Sequence, residues 1–126
     1  MKILNRNTSE NSRLISIVEE LKDGFCTLDL SGDFIYANVS AVELLRLSSG
    51  DQDFNFFRDI IKDSEHVNEI KKRLNLYDFV KDYEVEIYDF KKDKIPVLLT
   101  MNLIRDPNKK IIGMSLLIKD MTYIRS

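Results

Sequence analysis

The chain has 126 residues, 44% of them hydrophobic and 32% charged, with a formal net charge of −2. That is the size and composition of one globular domain with a single core, burying roughly two-thirds of the surface its unfolded form exposes. The balance excludes the basic face that nucleic-acid binding requires, because the one short basic run, Lys71-Lys72-Arg73, has Glu65 and Glu69 beside it and reads as a solvated helix face. A single cysteine, Cys26, rules out an internal disulfide and fits a reducing, cytoplasmic compartment. No apolar run approaches the roughly 20 residues that span a bilayer, and residues 1–10 are too polar for a signal peptide. A membrane anchor elsewhere in a parent protein is compatible with this reading.

In chain order, residues 1–11 read as a flexible arm. From Ser12, which can cap it, a helix carries Leu14, Ile17, Val18 and Leu21 at helical spacing and stops at Asp23-Gly24. Residues 25–30 and 34–37 read as strands joined by the turn Ser31-Gly32-Asp33. Asn38 then caps a helix with Ala41, Leu44 and Leu45 on one side, and residues 48–51 break it. Phe54, Phe57, Ile60 and Ile61 suggest another short helix, and Val67, Ile70 and Leu74 mark a longer one. The last third is β: Tyr83, Val85 and Ile87 alternate with charged or polar neighbours, and residues 95–104 and 111–118 are apolar runs separated by Asp106-Pro107-Asn108.

Short turns make the last three strands antiparallel neighbours, and the N-terminal hairpin needs partners because an isolated ribbon is marginal in water. One five-stranded antiparallel sheet with the middle helices across one face satisfies both demands, an α+β architecture. Apolar residues on both faces of the final strands, as in Val97-Leu98-Leu99 and Leu116-Leu117-Ile118, call for cover on both sides. The second cover is the N-terminal helix or a partner chain.

These segments resemble the PAS sensory domains. Asp23-Gly24-Phe25, Leu28-Asp29 and residues 32–38 are similar to the PAS opening, in which a hairpin ends in an Asn that caps the next helix. Residues 57–61, Lys91-Lys92-Asp93 with Ile95-Pro96-Val97, Ile104-Arg105-Asp106, Ile112-Gly113 and Asp120-Met121-Thr122 match later parts of the pattern, so the resemblance spans residues 13–122. Two departures fall in loops: Arg46-Leu47-Ser48 stands where a Gly is usual, and Lys94 replaces the Gly of the fourth-strand turn. The resemblance implies the PAS fold over residues 12–122 and a connector beginning at 123–126. It implies a sensory input domain of a bacterial or archaeal signalling protein, with catalysis confined to an effector outside the chain. A sensor histidine kinase is the first expectation and a diguanylate cyclase or other cyclic-dinucleotide enzyme the alternative. It also implies a homodimer through Leu14, Ile17, Val18 and Leu21, and a signal exit at Asp120, Met121 and Thr122. A ligand-free interaction module is the competing expectation.

The candidate sites follow from the residue types. A ligand cavity would be lined from the strands by Phe34, Val85, Ile87, Val97, Leu99 and Met101 and from the helices by Phe56, Phe57 and Ile60, although the same side chains can fill the space as core. His66, the one histidine, lies on the helix that supplies the iron ligand in haem-binding relatives, but Glu84 and Glu86 are poor partners for a bound gas, which argues against haem. Flavin photosensors carry a reactive Cys just after the Asn of the hairpin, whereas Val39-Ser40 follows Asn38 here, which argues against flavin. Cys26 reads as a small buried hydrophobe, and one His with one Cys gives no metal site. Asn38 is a structural cap and Asp29 orders its turn. No nucleophile triad, phosphate loop or paired carboxylates can be read, and Asp51, Asp53, Glu84 and Glu86 are solvent-facing charges.

Overall fold

The computed structural model describes residues 9–48 and 53–123. Most of the expected arm (1–8), residues 49–51 of the expected helix break and residues 124–126 of the connector lie outside the described residues. Five strands, β1 (Gly24–Leu28), β2 (Phe34–Ala37), β3 (Phe79–Tyr88), β4 (Lys94–Arg105) and β5 (Ile111–Asp120), form one antiparallel sheet in the order β2-β1-β5-β4-β3. Helices α1 (Ser9–Glu19), α2 (Val39–Leu45) and α3 (Ser64–Tyr77) and a single π-helical turn (Phe56–Ile60) complete the fold. The α+β sheet with short helices on one face is as expected.

The inner sheet face owes its burial to strict alternation. Val85 and Ile87 on β3, Val97, Leu99 and Met101 on β4, and Leu116 and Ile118 on β5 all point the same way and are buried. Ala41 and Leu45 of α2, Phe56 and Ile60 of the π turn, and Ile70 and Leu74 of α3 close over them.

Three hairpin turns share one local design. In Asp29–Asp33, Asp89–Asp93 and Asp106–Lys110, the first residue's N–H donates to the fifth residue's carbonyl at 2.8–2.9 Å, and the fourth residue's N–H donates back to the first's carbonyl. The leading carboxylate accepts from the fifth residue's N–H in each turn. The fourth position is left-handed in all three: Gly32 (φ 96°), Lys92 (72°) and Lys109 (68°). Gly32 has a second constraint, since a Cβ there would stand 2.7 Å from the Phe57 ring.

Several expected boundaries move. Helix α1 begins at Ser9, so Ser12 lies inside it rather than at its start, and residues 9–11 are helix rather than arm. It stops at Glu19, which leaves Leu21 beyond the helix. Its last turn and the residues after it are held elsewhere: Val18 O accepts from Asn38 Nδ2 and, past the helix, Leu21 O from the Ser40 hydroxyl, so the chain turns away before Asp23. Strand β1 ends at Leu28 because Asp29 already opens its turn, which puts Leu30 at the exposed tip. Strand β3 begins at Phe79, four residues before Tyr83. A bulge between Val80 and Tyr83, with Asp82 at φ 51° and its N–H on Thr100 Oγ1, breaks the alternation that marks the rest of the strand. At the missing glycine after α2, Arg46 itself takes the left-handed position (φ 58°), and the Arg46 and Leu47 N–H groups bond Glu43 O and Val42 O in a Schellman motif.

Candidate functional site

The expected cavity residues come together. Phe56, Ile60, Ile87, Val97, Leu99 and Met101 are fully buried, Val85 nearly so, and Phe34 and Phe57 pack against them half-buried. They belong to one continuous core cluster, with the Phe56 and Phe57 rings edge to face at 5.0 Å. These side chains form the core between sheet and helices.

His66 is not in that cluster. Its Nδ1 lies 2.6 Å from the Tyr83 hydroxyl, the two rings meet edge to face, and the Arg73 guanidinium stacks over the Tyr83 ring. The histidine borders a surface groove with Lys62, Asp63, Glu86, Tyr88 and Lys94. Cys26 is fully buried on the inner face, and that burial pushes its thiol far above the ordinary range, away from the reactive thiolate. Among the described residues, no group of three His, Cys, Asp or Glu side chains is placed to hold a metal.

Asn38 is the polar centre of the domain. It is fully buried, and its Oδ1 accepts from the N–H groups of Phe25 and Ala41, each at 2.9 Å, while Nδ2 donates to Val18 O and Asp23 O. One side chain therefore fixes the end of α1, the start of β1 and the first turn of α2. Asp29 holds its turn through the Ser31 hydroxyl and the N–H groups of Ser31 and Asp33. Partial burial works against its charge, but those hydrogen bonds outweigh it and keep the carboxyl below the usual range.

Three polar residues of comparable weight were not anticipated. Glu19, the last residue of α1, receives the Tyr36 hydroxyl on one carboxylate oxygen and the Val39 N–H, at 2.8 Å, on the other. Asn55 caps the π turn through the N–H groups of Phe57 and Arg58 and donates to Ser31 O and Asp33 Oδ1, which ties that turn to the first hairpin. Asp89, buried at the β3–β4 turn, faces the Arg46 guanidinium at 3.7 Å. The repeat of Asp-x-x-x-Asp at 29–33 and 89–93 signals Asp89 in the sequence. The reciprocal pair of Asn55 with Asp59, which accepts the Asn55 N–H, is a capping signal at the wider spacing a π turn needs. Nothing local marks Glu19, whose partners lie 17 and 20 residues away.

The ends of the domain converge. Gly24, where the chain enters the sheet, pairs with Ile118, close to where it leaves. Lys22, Asp23, Asp120, Thr122 and Tyr123 line one cleft, with Ser40, Glu43 and Arg46 of the α2 region as its far wall. At the exit, Asp120 Oδ1 accepts from the N–H and hydroxyl of Thr122, and Met121 N–H donates to Pro96 O. Of the stripe expected to pair two copies, Leu14 and Ile17 are 60% and 55% exposed, Leu21 is 39% exposed beyond the helix, and Val18 is half-buried.

No helix among the described residues is long and apolar enough to cross a membrane. Comparison with curated proteins finds no match. Among solved structures, the chain is similar to the PAS domain of a Colwellia psychrerythraea protein, at 15% identity and a TM-score of 0.77 over 88% of this chain and 96% of that one. It is also similar to a PAS domain from a two-component sensor histidine kinase (11% identity, TM-score 0.72, 88% and 96% covered). A third is the PAS domain of the fruit-fly ELK potassium channel (17%, 0.67, 93% and 100%). The profile of the family described as PAS fold matches residues 12–121, and the chain belongs to that family.

Proposed function

We propose that this PAS sensory domain is the input module of a signal-transduction protein, cytoplasmic in location and acting as a homodimer. It passes a change at α1 or in the sheet to an effector joined after Asp120-Met121-Thr122. The observation that carries this reading is the convergence of entry and exit, with Gly24 paired to Ile118 and Lys22 and Tyr123 on one cleft. A movement of α1 is therefore delivered next to the outgoing segment rather than across the domain. A sensor histidine kinase is the effector favoured, in keeping with the similarity to a PAS domain from such a kinase, and the chemistry resides there. A cyclic-dinucleotide enzyme would use the same exit.

Relay through α1 and the sheet is the first reading, since the candidate cavity residues belong to the continuous core cluster. The exposed Leu14 and Ile17 stripe supports association of two copies. Sedimentation of the purified chain tests this: a dimer is expected, and Ile17→Asp should convert it to monomer without loss of fold. A monomer at all concentrations would overturn the dimeric relay. Small-ligand sensing is the second reading. Native mass spectrometry with an absorption spectrum tests it through a co-purifying mass, and a Soret band lost in His66→Ala would install haem in its place.

A further inference from the structure

Helix α1 is held to the domain in an uneven way. Leu14, in its middle, and Ile17, in its last turn, face solvent. Its described polar bonds to the rest of the domain all leave from the last turn, at Val18 O and the Glu19 carboxylate. One of these belongs to Asn38, which also holds Phe25 and Ala41 and so serves the whole junction. The two bonds of Glu19 tie α1 to its neighbours: one joins it to β2 through Tyr36, the other to the start of α2 through Val39.

An acid at the C-terminal end of a helix opposes the helix dipole, so Glu19 is ill-placed for α1 as an isolated helix. The docked arrangement offsets that penalty with two donors, one of them the Val39 N–H, which has no partner within α2. Undocking restores the penalty, and the end of α1 is then destabilised at the moment it is freed. Docking and helix integrity are thereby linked through one carboxylate.

We propose that Glu19 is a latch: it sets a local equilibrium in which α1 docks on the Tyr36–Val39 junction or releases from it, while the sheet stays folded. The inference concerns how one copy holds its own helix, and it stands whether or not two copies associate. Tyr36 is the latch's hydroxyl donor, and Leu14 and Ile17 are what the released helix carries away.

Amide hydrogen exchange on the purified chain tests it. In Glu19→Ala, amides of residues 13–21 should exchange on the order of tenfold faster, while those of 98–118 change less than about twofold. Glu19→Gln, which keeps one acceptor oxygen, and Tyr36→Phe, which removes one donor, should each give part of the effect. Glu20→Ala, the exposed neighbour, should give none. The latch is overturned if α1 exchange is unaltered in Glu19→Ala, if Glu20→Ala matches it, or if α1 and β5 accelerate by the same factor. That last result would make Glu19 an ordinary contributor to global stability. Ile17→Asp, the dimer variant, leaves the latch bonds intact, so loss of the dimer and loss of the latch register separately.

Discussion

On the inner face of the sheet, Ile87, Val97, Leu99, Met101, Leu116 and Ile118 are wholly removed from water, whereas on the outer face Phe25, Thr27, Leu98 and Leu117 are only half-covered. The inner face also keeps its polar groups out, while the outer face carries the Thr27 hydroxyl, buried without a hydrogen-bond partner. Each face has its own job. The inner face specifies the fold, and cavities there are costly because the surrounding side chains cannot collapse into them. The outer face tolerates a polar orphan and half-exposed leucines, as a surface used for contact can.

The comparison breaks if the two faces respond alike to substitution. Leu99→Ala on the inner face should cost about 2–5 kcal/mol, read from the urea midpoint at constant slope. Asn38→Ala should cost about 3 kcal/mol, since it strands buried groups on three elements, and it should loosen α1 as well as the sheet. Thr27→Val on the outer face carries the opposite sign, a gain of about 1 kcal/mol, because it removes a buried hydroxyl that has no partner. Leu117→Ser should cost under about 1 kcal/mol, read from the same urea midpoint. An equal loss of stability for Leu117→Ser and Leu99→Ala would show that the outer face is core after all.

Much of the inner face was legible because period-two alternation is a direct consequence of strand geometry, as in Val97, Leu99 and Met101. Asn38 and Asp29 were legible for a similar reason: their side chains act on backbone a few residues away, including Ala41 and Ser31. What could not be read depends on partners distant in the chain. The end of α1 is decided by Asn38 and Ser40, roughly a helix-length downstream, so Leu21 looked helical when its carbonyl was already taken. The start of β3 was masked by the bulge at Asp82, which places Val80 and Tyr83 toward the same side with two residues between them. Ring and aliphatic residues that could line a ligand cavity and those that fill a core are the same types. Residue type alone therefore cannot tell the ring pairs Phe56–Phe57 and Phe34–Phe54 from a cavity lining.

The pairing of Gly24 with Ile118 has a mechanical meaning as well. Because β1 and β5 are antiparallel and the chain enters and leaves at the same end of both, tension applied through α1 and through Asp120 pulls two neighbouring strands apart from one edge. The load falls on the Gly24 and Ile118 pair first and then moves inward toward Leu28 and Met114, one rung at a time, as in a zipper. A domain strung this way yields gently to pulling along its chain while resisting heat and denaturant through its core, and the pull enters between two strands inside the sheet rather than at its outer strands.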